Sequence, residues 1–338
     1  MNDIILNVVN LNKSFNLRRG FSDLFKFQKS QNVQIIDNVT FKMSKGEILV
    51  LAGESGSGKT TLAKLIMRSI NPDSGNIFFN NVDITKLKGK ELLNIRSKVQ
   101  MIFQDPYASL DPRMKVFDIV KEPLDVHKKR FNKKEVEEYV YSALKKVNLD
   151  PNEIGSSYPH NLSGGQRQRV SFARSLVLKP LLIIADEPVS MLDVSIRIQI
   201  LELMKKLKKE ENVSFLYITH DLATSKYVGD NIIILYKGQI IEQGNIKQVL
   251  HHPLHPYTKA LISAIPKFTG HDKEIKIKND PEPASKLTNG CKFLNKCLYS
   301  TEECKIKEPP LTNDDTSNLR NNWSTNHFIR CFNYKVIL

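Results

Sequence analysis

Short apolar runs alternate along the chain with segments whose apolar residues recur at helical spacing. Three runs are apolar at nearly every position, namely residues 47–52, 181–185 and 213–219. Continuous runs of this length are typical of strands buried on both faces of a parallel sheet. Between the second and third runs, helical spacing predicts an amphipathic crossover helix, carried by Ile196, Ile200, Leu203 and Leu207. Strands separated by helices predict an α/β fold with a mainly parallel sheet.

Weaker patterns around these strands predict further parts of the fold. Short strands over residues 4–9 and 39–41, separated by a polar and basic insert, predict a β flank, and residues 232–242 predict a late hairpin. A polar, helix-rich segment over about 91–165 predicts an inserted helical subdomain. From residue 251 the chain is rich in proline, lysine, asparagine and cysteine and has little periodicity. We therefore expect one large domain over 1–250 and a small extension over 251–338.

Composition and charge exclude several classes of protein. The 338 residues are 41% hydrophobic and 25% charged, which excludes a wholly disordered or collagen-like chain. The longest apolar stretches are far shorter than the roughly 20 residues of a membrane-spanning helix, and no secretory signal is visible, so we expect a cytosolic protein. The net charge is +14, but the basic residues are not interleaved with aromatic ones. We therefore expect no nucleic-acid partner.

A glycine-rich segment follows the first buried run and opens a helix. Residues 53–60 read Gly-Glu-Ser-Gly-Ser-Gly-Lys-Thr, which fits the phosphate-loop pattern. The glycines let the backbone N–H groups face a phosphate, and the helix N-terminus adds partial positive charge. In such a loop Lys59 reaches the β- and γ-phosphates, and the Thr60 hydroxyl binds Mg²⁺. The predicted nucleotide-binding residues of this segment are Gly53, Ser55, Gly56, Gly58, Lys59, Thr60 and Thr61.

Two further segments predict that the nucleotide is hydrolysed between two chains. The run 181–185 ends in Asp186, which can hold Mg²⁺, and Glu187, which can deprotonate the attacking water. Neighbouring side chains on a strand point to opposite faces, so the chain has to turn between these two roles. Residues 163–166 form a second anion-accepting turn. One nucleotide cannot easily occupy two such loops of one chain, so we expect a head-to-tail dimer. The capping residues would be Ser163, Gly165 and Gln166.

With these motifs the chain closely resembles the ATP-binding cassette (ABC) ATPases over nearly its whole length. The resemblance implies a P-loop α/β core with an antiparallel β flank and an inserted helical subdomain. It also implies that adenine stacks on Phe15, although the residues alone leave a core phenylalanine open. The implied catalytic residues are Glu187, His220 and Gln104. The implied Mg²⁺ ligands are Thr60, Gln104 and Asp186.

Within that superfamily the chain looks like the ATPase subunits of oligopeptide and dipeptide permeases. The resemblance rests on residues 186–190 and on the sequence His-Pro-Leu-His-Pro-Tyr-Thr at 252–258. Residues 167–169 resemble the second of the two paired ATPases in such systems. The resemblance implies a heterodimer with a sibling ATPase on the cytoplasmic face of the membrane, two transmembrane permease subunits and an extracytoplasmic solute-binding protein. Peptides, nickel complexes or oligosaccharides are the implied cargo. A soluble ABC ATPase of repair, translation or cluster assembly is the alternative.

The four cysteines lie together in the extension, at Cys291, Cys297, Cys304 and Cys331. Their spacing fits neither the tight knuckles of structural zinc nor the plant ferredoxin pattern. The residues alone leave zinc, an iron–sulfur cluster and no metal open. The permease resemblance implies a [4Fe–4S] cluster in a structural role. Because every predicted nucleotide contact precedes residue 221, we expect ATP binding to be independent of this extension.

Overall fold

The computed structural model describes residues 3–17, 31–127, 131–264, 290–314 and 326–337. Two sheets form within these residues, one of eight strands in the order β11-β12-β10-β9-β3-β8-β7-β6 and one of four in the order β2-β1-β4-β5. The strands are β1 (Ile4–Leu17), β2 (Gln31–Ser44), β3 (Ile48–Ala52), β4 (Ser74–Phe79), β5 (Val82–Asp83), β6 (Val99–Ile102), β7 (Leu182–Asp186), β8 (Ser214–Thr219), β9 (Asn231–Tyr236), β10 (Gln239–Asn245), β11 (Thr312–Asn313) and β12 (Phe328–Ile329).

The centre of the larger sheet is parallel, as the three apolar runs predict. Strands β9, β3, β8, β7 and β6 lie side by side and all run in one direction. Every residue of β3, β7 and β8 is buried. A strand without an exposed face has to be covered on both sides, which explains why its sequence is continuously apolar. The predicted α/β fold is confirmed.

Alternate residues of β3 contribute to two separate hydrophobic clusters. Ile48, Val50 and Ala52 pack with the helices on one face of the sheet. Leu49 and Leu51 pack on the other face, in a cluster that also holds the apolar side chains of β1, β2 and the first helix. The smaller sheet is wholly antiparallel, with β1 paired to both β2 and β4. It is the predicted β flank. Residues 18–30 of the polar insert within it lie outside the described residues.

Helices cover both faces of the larger sheet. They are α1 (Lys59–Ile66), α2 (Gly89–Lys98), α3 (Pro106–Ser109), α4 (Val116–Val126), α5 (Lys133–Lys146), α6 (Pro151–Ile154), α7 (Gly164–Leu176), α8 (Val194–Glu211), α9 (Leu222–Val228), α10 (Ile246–His251), α11 (Pro256–Ser263), α12 (Glu302–Ile306) and α13 (Tyr334–Ile337). Helix α8 is the predicted crossover helix. None of the helices in the described part of the chain combines the length and apolar character needed to cross a membrane.

The segment 91–165, predicted as helical, also contributes a strand to the core. β6 lies at the edge of the larger sheet and pairs in parallel with β7. Helices α3 to α6 follow β6, and α4 and α5 pack on α7. The helical part of the insertion therefore begins after residue 102, because the four residues of β6 complete the parallel sheet.

The extension is joined to the cassette through the larger sheet. The hairpin strand β10 pairs with β12, which in turn pairs with β11. Beneath this edge, the fully buried carboxylate of Glu242 lies 2.8 Å from Nε2 of His327 and accepts the backbone N–H groups of Leu254 and His255. Two stretches of the extension thus meet at one cassette residue, which holds both against the sheet.

Candidate functional site

The phosphate loop connects β3 to α1 and is shaped by glycines in the left-handed region. Gly53 has φ 153° and Gly58 has φ 107°. A Cβ atom on Gly53 would lie 2.2 Å from the carbonyl oxygen of Leu235, and one on Gly58 would lie 2.8 Å from that of Ile35. Neither position can carry a side chain, because the backbone of β9 or β2 would clash with the Cβ atom. The loop is therefore pressed closely against the sheet.

Lys59 lies at the base of this loop and is almost completely buried. Its Nζ donates hydrogen bonds to the carbonyl oxygens of Gly53 at 2.7 Å and Glu54 at 2.8 Å. Burial lowers the pKa of Lys59, and the carboxylates of Glu187, Asp186 and Glu54 oppose that effect. A buried ammonium group beside a glycine-rich turn is suited to bind phosphate oxygens.

Two oxygen groups lie together beside Lys59. Thr60 Oγ1 donates a 2.9 Å hydrogen bond to Oδ2 of Asp186, at the end of β7. Burial raises the pKa of Asp186, and the neighbouring Glu187 raises it further. In addition, the buried Ser57 hydroxyl has no hydrogen-bond partner among the described residues. A hydroxyl and a carboxylate are the hard oxygen ligands that Mg²⁺ prefers, so these residues fit a magnesium–nucleotide complex.

Glu187 is the meeting point of three segments. Its φ of 47° turns the chain immediately after Asp186. The carboxylates of Asp186 and Glu187 therefore contact different side chains. Gln104 Nε2 donates to Glu187 Oε2 at 3.0 Å, and His220 Nδ1 lies 2.9 Å from Glu187 Oε1. Each carboxylate oxygen therefore has one side-chain partner, and the two partners come from the ends of β6 and β8.

One cavity of about 860 Å³ contains most of the predicted nucleotide site. The predicted residues that line it are Phe15, Gly53, Ser55, Gly56, Gly58, Lys59, Thr60, Thr61, Gln104, Glu187 and His220. Phe15 is 40% exposed at its wall, with Lys13 Nζ 5.4 Å from the ring centroid. The alternative of a core phenylalanine is thus wrong, and the ring is available for stacking.

The second glycine turn does not line this cavity. Ser163 is the N-cap of α7 and exchanges hydrogen bonds with Gln166, which forms a capping box. A Cβ atom on Gly165 would lie 2.7 Å from Cγ2 of Ile196, so the turn packs against α8 instead. Within one chain, the structure therefore separates Ser163, Gly165 and Gln166 from the phosphate loop.

Two residues of the extension contact the cavity wall or the phosphate loop, and sequence reasoning missed both. Leu261 of α11 is part of the cavity wall. The hydroxyl of Tyr257 accepts a 2.9 Å hydrogen bond from the backbone N–H of Glu54. The extension therefore contacts the region of the phosphate loop, and the independence of ATP binding from the extension stays a prediction. The His-Pro-Leu-His-Pro-Tyr-Thr sequence was the available signal, but it indicated only a family and not a contact.

Cys304 is buried, and Cys291, Cys297 and Cys331 are partly buried. Burial raises the pKa of Cys291 to about 11 and that of Cys331 to about 12, with smaller contributions from the neighbouring thiols. Cys297 Sγ accepts the N–H of Tyr299 at 3.4 Å. Yet no group of three or more His, Cys, Asp or Glu side chains among the described residues is arranged to hold a metal ion.

Comparisons with known proteins agree with this site. A family model described as "ABC transporter" matches residues 36–190, and one described as "Oligopeptide/dipeptide transporter, C-terminal region" matches residues 241–304. The oligopeptide transport ATP-binding protein OppF of Streptococcus mutans is 50% identical over 248 residues, which are 73% of this chain and 80% of the relative. OppF of Haemophilus influenzae is 39% identical over 333 residues, 97% of each chain.

Solved structures with similar folds are also ABC cassettes. The cassette MJ0796, solved as a dimer with ADP and phosphate, has a TM-score of 0.62 and 28% identity, and the match covers 72% of this chain and 99% of that one. CbiO1 of Clostridium perfringens has a TM-score of 0.63 and 28% identity, with 74% and 92% covered. The resemblance inferred from the motifs is confirmed: the chain belongs to the ATP-binding subunits of ABC transporters, in the oligopeptide and dipeptide transport family.

Proposed function

We propose that this chain binds and hydrolyses ATP to energise the import of peptides. The observation that carries the proposal is the convergence of Gln104, Glu187 and His220 beside the phosphate loop. Relatives that match this chain along most of their length are named oligopeptide or dipeptide transport ATP-binding proteins. A nickel complex or an oligosaccharide is the alternative cargo.

The proposed chemistry follows from the contacts of each side chain. Lys59 and the N–H groups of the phosphate loop bind the phosphates, and Phe15 stacks on the adenine ring. Glu187 accepts a proton from the attacking water, and its hydrogen bonds to Gln104 and His220 hold its two oxygens in place. Mg²⁺, held by Thr60, Gln104 and Asp186, would neutralise charge on the phosphate oxygens.

The proposed active unit is a head-to-tail heterodimer with a sibling ATPase. Ser163, Gly165 and Gln166 lie away from the phosphate loop of their own chain, which supports a role at the nucleotide of the sibling. A capped helix N-terminus exposes N–H groups and partial positive charge toward an approaching γ-phosphate. The dimer would sit on two transmembrane permease subunits at the cytoplasmic face, supplied by an extracytoplasmic solute-binding protein.

Peptide uptake by whole cells tests this function. Deleting the gene for this chain should abolish accumulation of a labelled tripeptide, and the wild-type chain should restore it. Glu187→Gln should fail to restore uptake although the chain is present in equal amount. Unchanged tripeptide uptake in the deleted cells would contradict the proposal. If the chain also purified without membrane subunits, that result would favour the soluble ABC ATPase.

We also propose that residues 1–250 form the ATPase domain and residues 251–338 an extension. In this extension, we propose that a [4Fe–4S] cluster binds to Cys291, Cys297, Cys304 and Cys331. The neighbouring thiols of Cys297 and Cys304 raise the pKa of both Cys291 and Cys331, which supports a shared site. The Thr301 hydroxyl, 3.4 Å from Cys304 Sγ, and Nδ2 of Asn333, 3.9 Å from the same atom, supply hydrogen bonds of the kind that surround cluster sulfurs. The thiols are not arranged to hold a metal ion in the described residues, so binding a cluster would require them to rearrange.

Metal analysis of the anaerobically purified full chain tests this second proposal. We expect a brown protein with about four irons per chain, and loss of both colour and iron in Cys297→Ser. Ser300→Ala, at a nearby position, is the matched control and should keep the iron. A colourless protein with one zinc per chain would contradict the cluster and support a zinc site. A metal-free protein would contradict both the cluster and the zinc site.

A further inference from the structure

A buried tyrosine of the extension contacts the phosphate loop directly. The backbone N–H of Glu54, the second residue of the loop, donates to Tyr257 Oη across a sequence separation of 203 residues. A buried backbone N–H without an acceptor costs free energy, so its partner matters to the loop conformation. Here the partner is a side chain from α11, a helix that follows the last strand of the parallel sheet.

Tyr257 is held rigidly enough to act as a fixed acceptor. The residue is 1% exposed, and its ring centroid lies 4.6 Å from that of Tyr236 and 5.7 Å from that of Phe293. Its backbone N–H donates to Nδ1 of His255, the N-cap of α11. Burial raises the pKa of Tyr257 above its usual range, so the hydroxyl stays neutral. Packing thus places Oη at a single position beside the loop.

We propose that Tyr257 is a positioning residue of the ATP site. By accepting the Glu54 N–H, it holds the first turn of the phosphate loop in the conformation in which the loop's other N–H groups can face the nucleotide. Without this bond the loop gains freedom that ATP binding has to remove, and part of the binding free energy is then spent on ordering the loop. The inference rests on nucleotide binding at the phosphate loop.

The same helix adds a second element to the site. Leu261 lies one helical turn after Tyr257, so both side chains share a face of α11. Leu261 lines the nucleotide cavity, while Tyr257 reaches the backbone beneath it. The ring of Phe293, two positions after Cys291, packs edge-on against that of Tyr257. The extension is therefore in contact with the ATP site through one helix, and the cysteine segment contacts that helix at Tyr257.

Removal of the Tyr257 hydroxyl tests the inference. Tyr257→Phe keeps the ring and its packing but leaves the Glu54 N–H without its acceptor. We expect KM for ATP to rise about five-fold, the usual effect of one neutral hydrogen bond, with kcat changed by less than about two-fold. Tyr236→Phe is the matched control, because no hydrogen bond in the described residues joins the Tyr236 hydroxyl to the loop. Its KM should equal that of the wild type.

Three measurements on the full chain with its sibling separate the outcomes. An unchanged KM in Tyr257→Phe would overturn the inference, and a lower unfolding temperature in that variant would then show that the hydroxyl only stabilises the fold. An equal rise in Tyr257→Phe and Tyr236→Phe would also overturn it, because the cause would then be ring packing. Lys59→Ala tests the nucleotide site itself. Normal ATP affinity in that variant would contradict the proposed nucleotide site, independently of the result for Tyr257→Phe.

Discussion

At the scale of single residues, Glu187 combines backbone strain with a fixed carboxylate. A non-glycine residue in the left-handed region costs of order 1 kcal/mol or more, and such residues persist where surrounding contacts hold them. Here the Glu187 N–H donates to the carbonyl of Ile218, and its own carbonyl accepts from the N–H and the hydroxyl of Ser190. The side chain is thus aimed by the backbone as well as by Gln104 and His220.

The first prediction is that Glu187→Gln separates ATP binding from hydrolysis. Glutamine keeps the size of the side chain and one oxygen acceptor but cannot take a proton at neutral pH. We expect kcat to fall at least about a hundredfold, the usual contribution of a general base, with ATP affinity within about two-fold of the wild type. Steady-state hydrolysis and equilibrium binding of ATP measure the two effects.

A surface variant is the control for this prediction. Glu210→Gln makes the same chemical change on the exposed end of α8 and should hydrolyse ATP at the wild-type rate. Near-normal turnover in Glu187→Gln would remove Glu187 from the role of proton acceptor.

At the scale of elements, α11 depends on a histidine that is buried in its neutral form. His255 caps the helix by accepting the N–H of Tyr257, and burial lowers the pKa of His255 to about 4, against a smaller opposing effect from Glu242. Above pH 6.5 the histidine is neutral in both the folded and the unfolded chain. Between about pH 6.5 and 4 only the unfolded chain takes up the proton, so the free energy of unfolding decreases as the pH falls.

The second prediction is that His255→Asn makes the protein less sensitive to acid. Asparagine can also cap a helix but does not titrate. Between pH 7.5 and 5.0, we expect the loss in the free energy of unfolding to be smaller by roughly 2 kcal/mol than in the wild type. Urea denaturation at the two pH values measures this difference.

The exposed neighbour His251 provides the matched control, since His251→Asn should leave the pH dependence unchanged. If His255→Asn lost as much stability on acidification as the wild type, His255 would not be the source of the acid sensitivity.

The strands that are completely buried could be predicted from the sequence, whereas partly exposed or very short strands could not. Strands β3, β7 and β8 were predicted to within two residues, because complete burial requires an unbroken apolar run. β6 was not, because this edge strand has partly exposed positions at Gln100 and Met101 and follows a polar helix. The two-residue strands β11 and β12 are too short for any periodicity, and long-range pairing alone defines them.

The same distinction applies to the site. The phosphate loop, Asp186 and Glu187 were predictable, because each directly follows a continuously apolar strand at the carboxyl edge of a parallel sheet. Gln104 and His220 were identified only through the family resemblance. Tyr257 was not predictable, because its partner is a backbone N–H, which leaves no trace in the sequence. Leu261 resembles any apolar residue of an amphipathic helix, so only the tertiary structure reveals its place in the cavity wall.

At the scale of the whole molecule, the phosphate-loop cavity and the second glycine turn, which we propose to be complementary halves of one nucleotide site, lie in separate places. His220 lines the cavity, and its side chain is 58% exposed. The capped N-terminus of α7 is elsewhere on the surface. In the proposed dimer these two parts meet only when two cassettes associate, so ATP binding and dimer formation should be thermodynamically linked.

The third prediction concerns the separate roles proposed for the phosphate loop and for Ser163 at the N-terminus of α7. Ser163→Arg should leave the affinity of the isolated chain for ATP unchanged within about two-fold, because Ser163 does not line its own cavity. In the dimer it should reduce hydrolysis at the sibling's nucleotide at least about ten-fold, since the arginine obstructs the N–H groups that would contact the γ-phosphate. Equilibrium binding and steady-state hydrolysis measure these two effects.

Ser163→Thr is the control, because threonine can also cap α7 and should support near-normal hydrolysis. Weaker ATP binding by the isolated Ser163→Arg chain, with an unchanged unfolding temperature, would contradict the head-to-tail arrangement.

The pairing of β10 with β12 has a consequence for synthesis of the chain on the ribosome. Gln243 is made 85 residues before its partner Phe328, and at 5 to 20 residues per second this delay is roughly 4 to 17 s. For that time the growing cassette has an open strand edge, to which a neighbouring chain could add a strand of its own. Slower translation of the extension would lengthen this period, so codon choice after residue 245 should influence the yield of soluble protein.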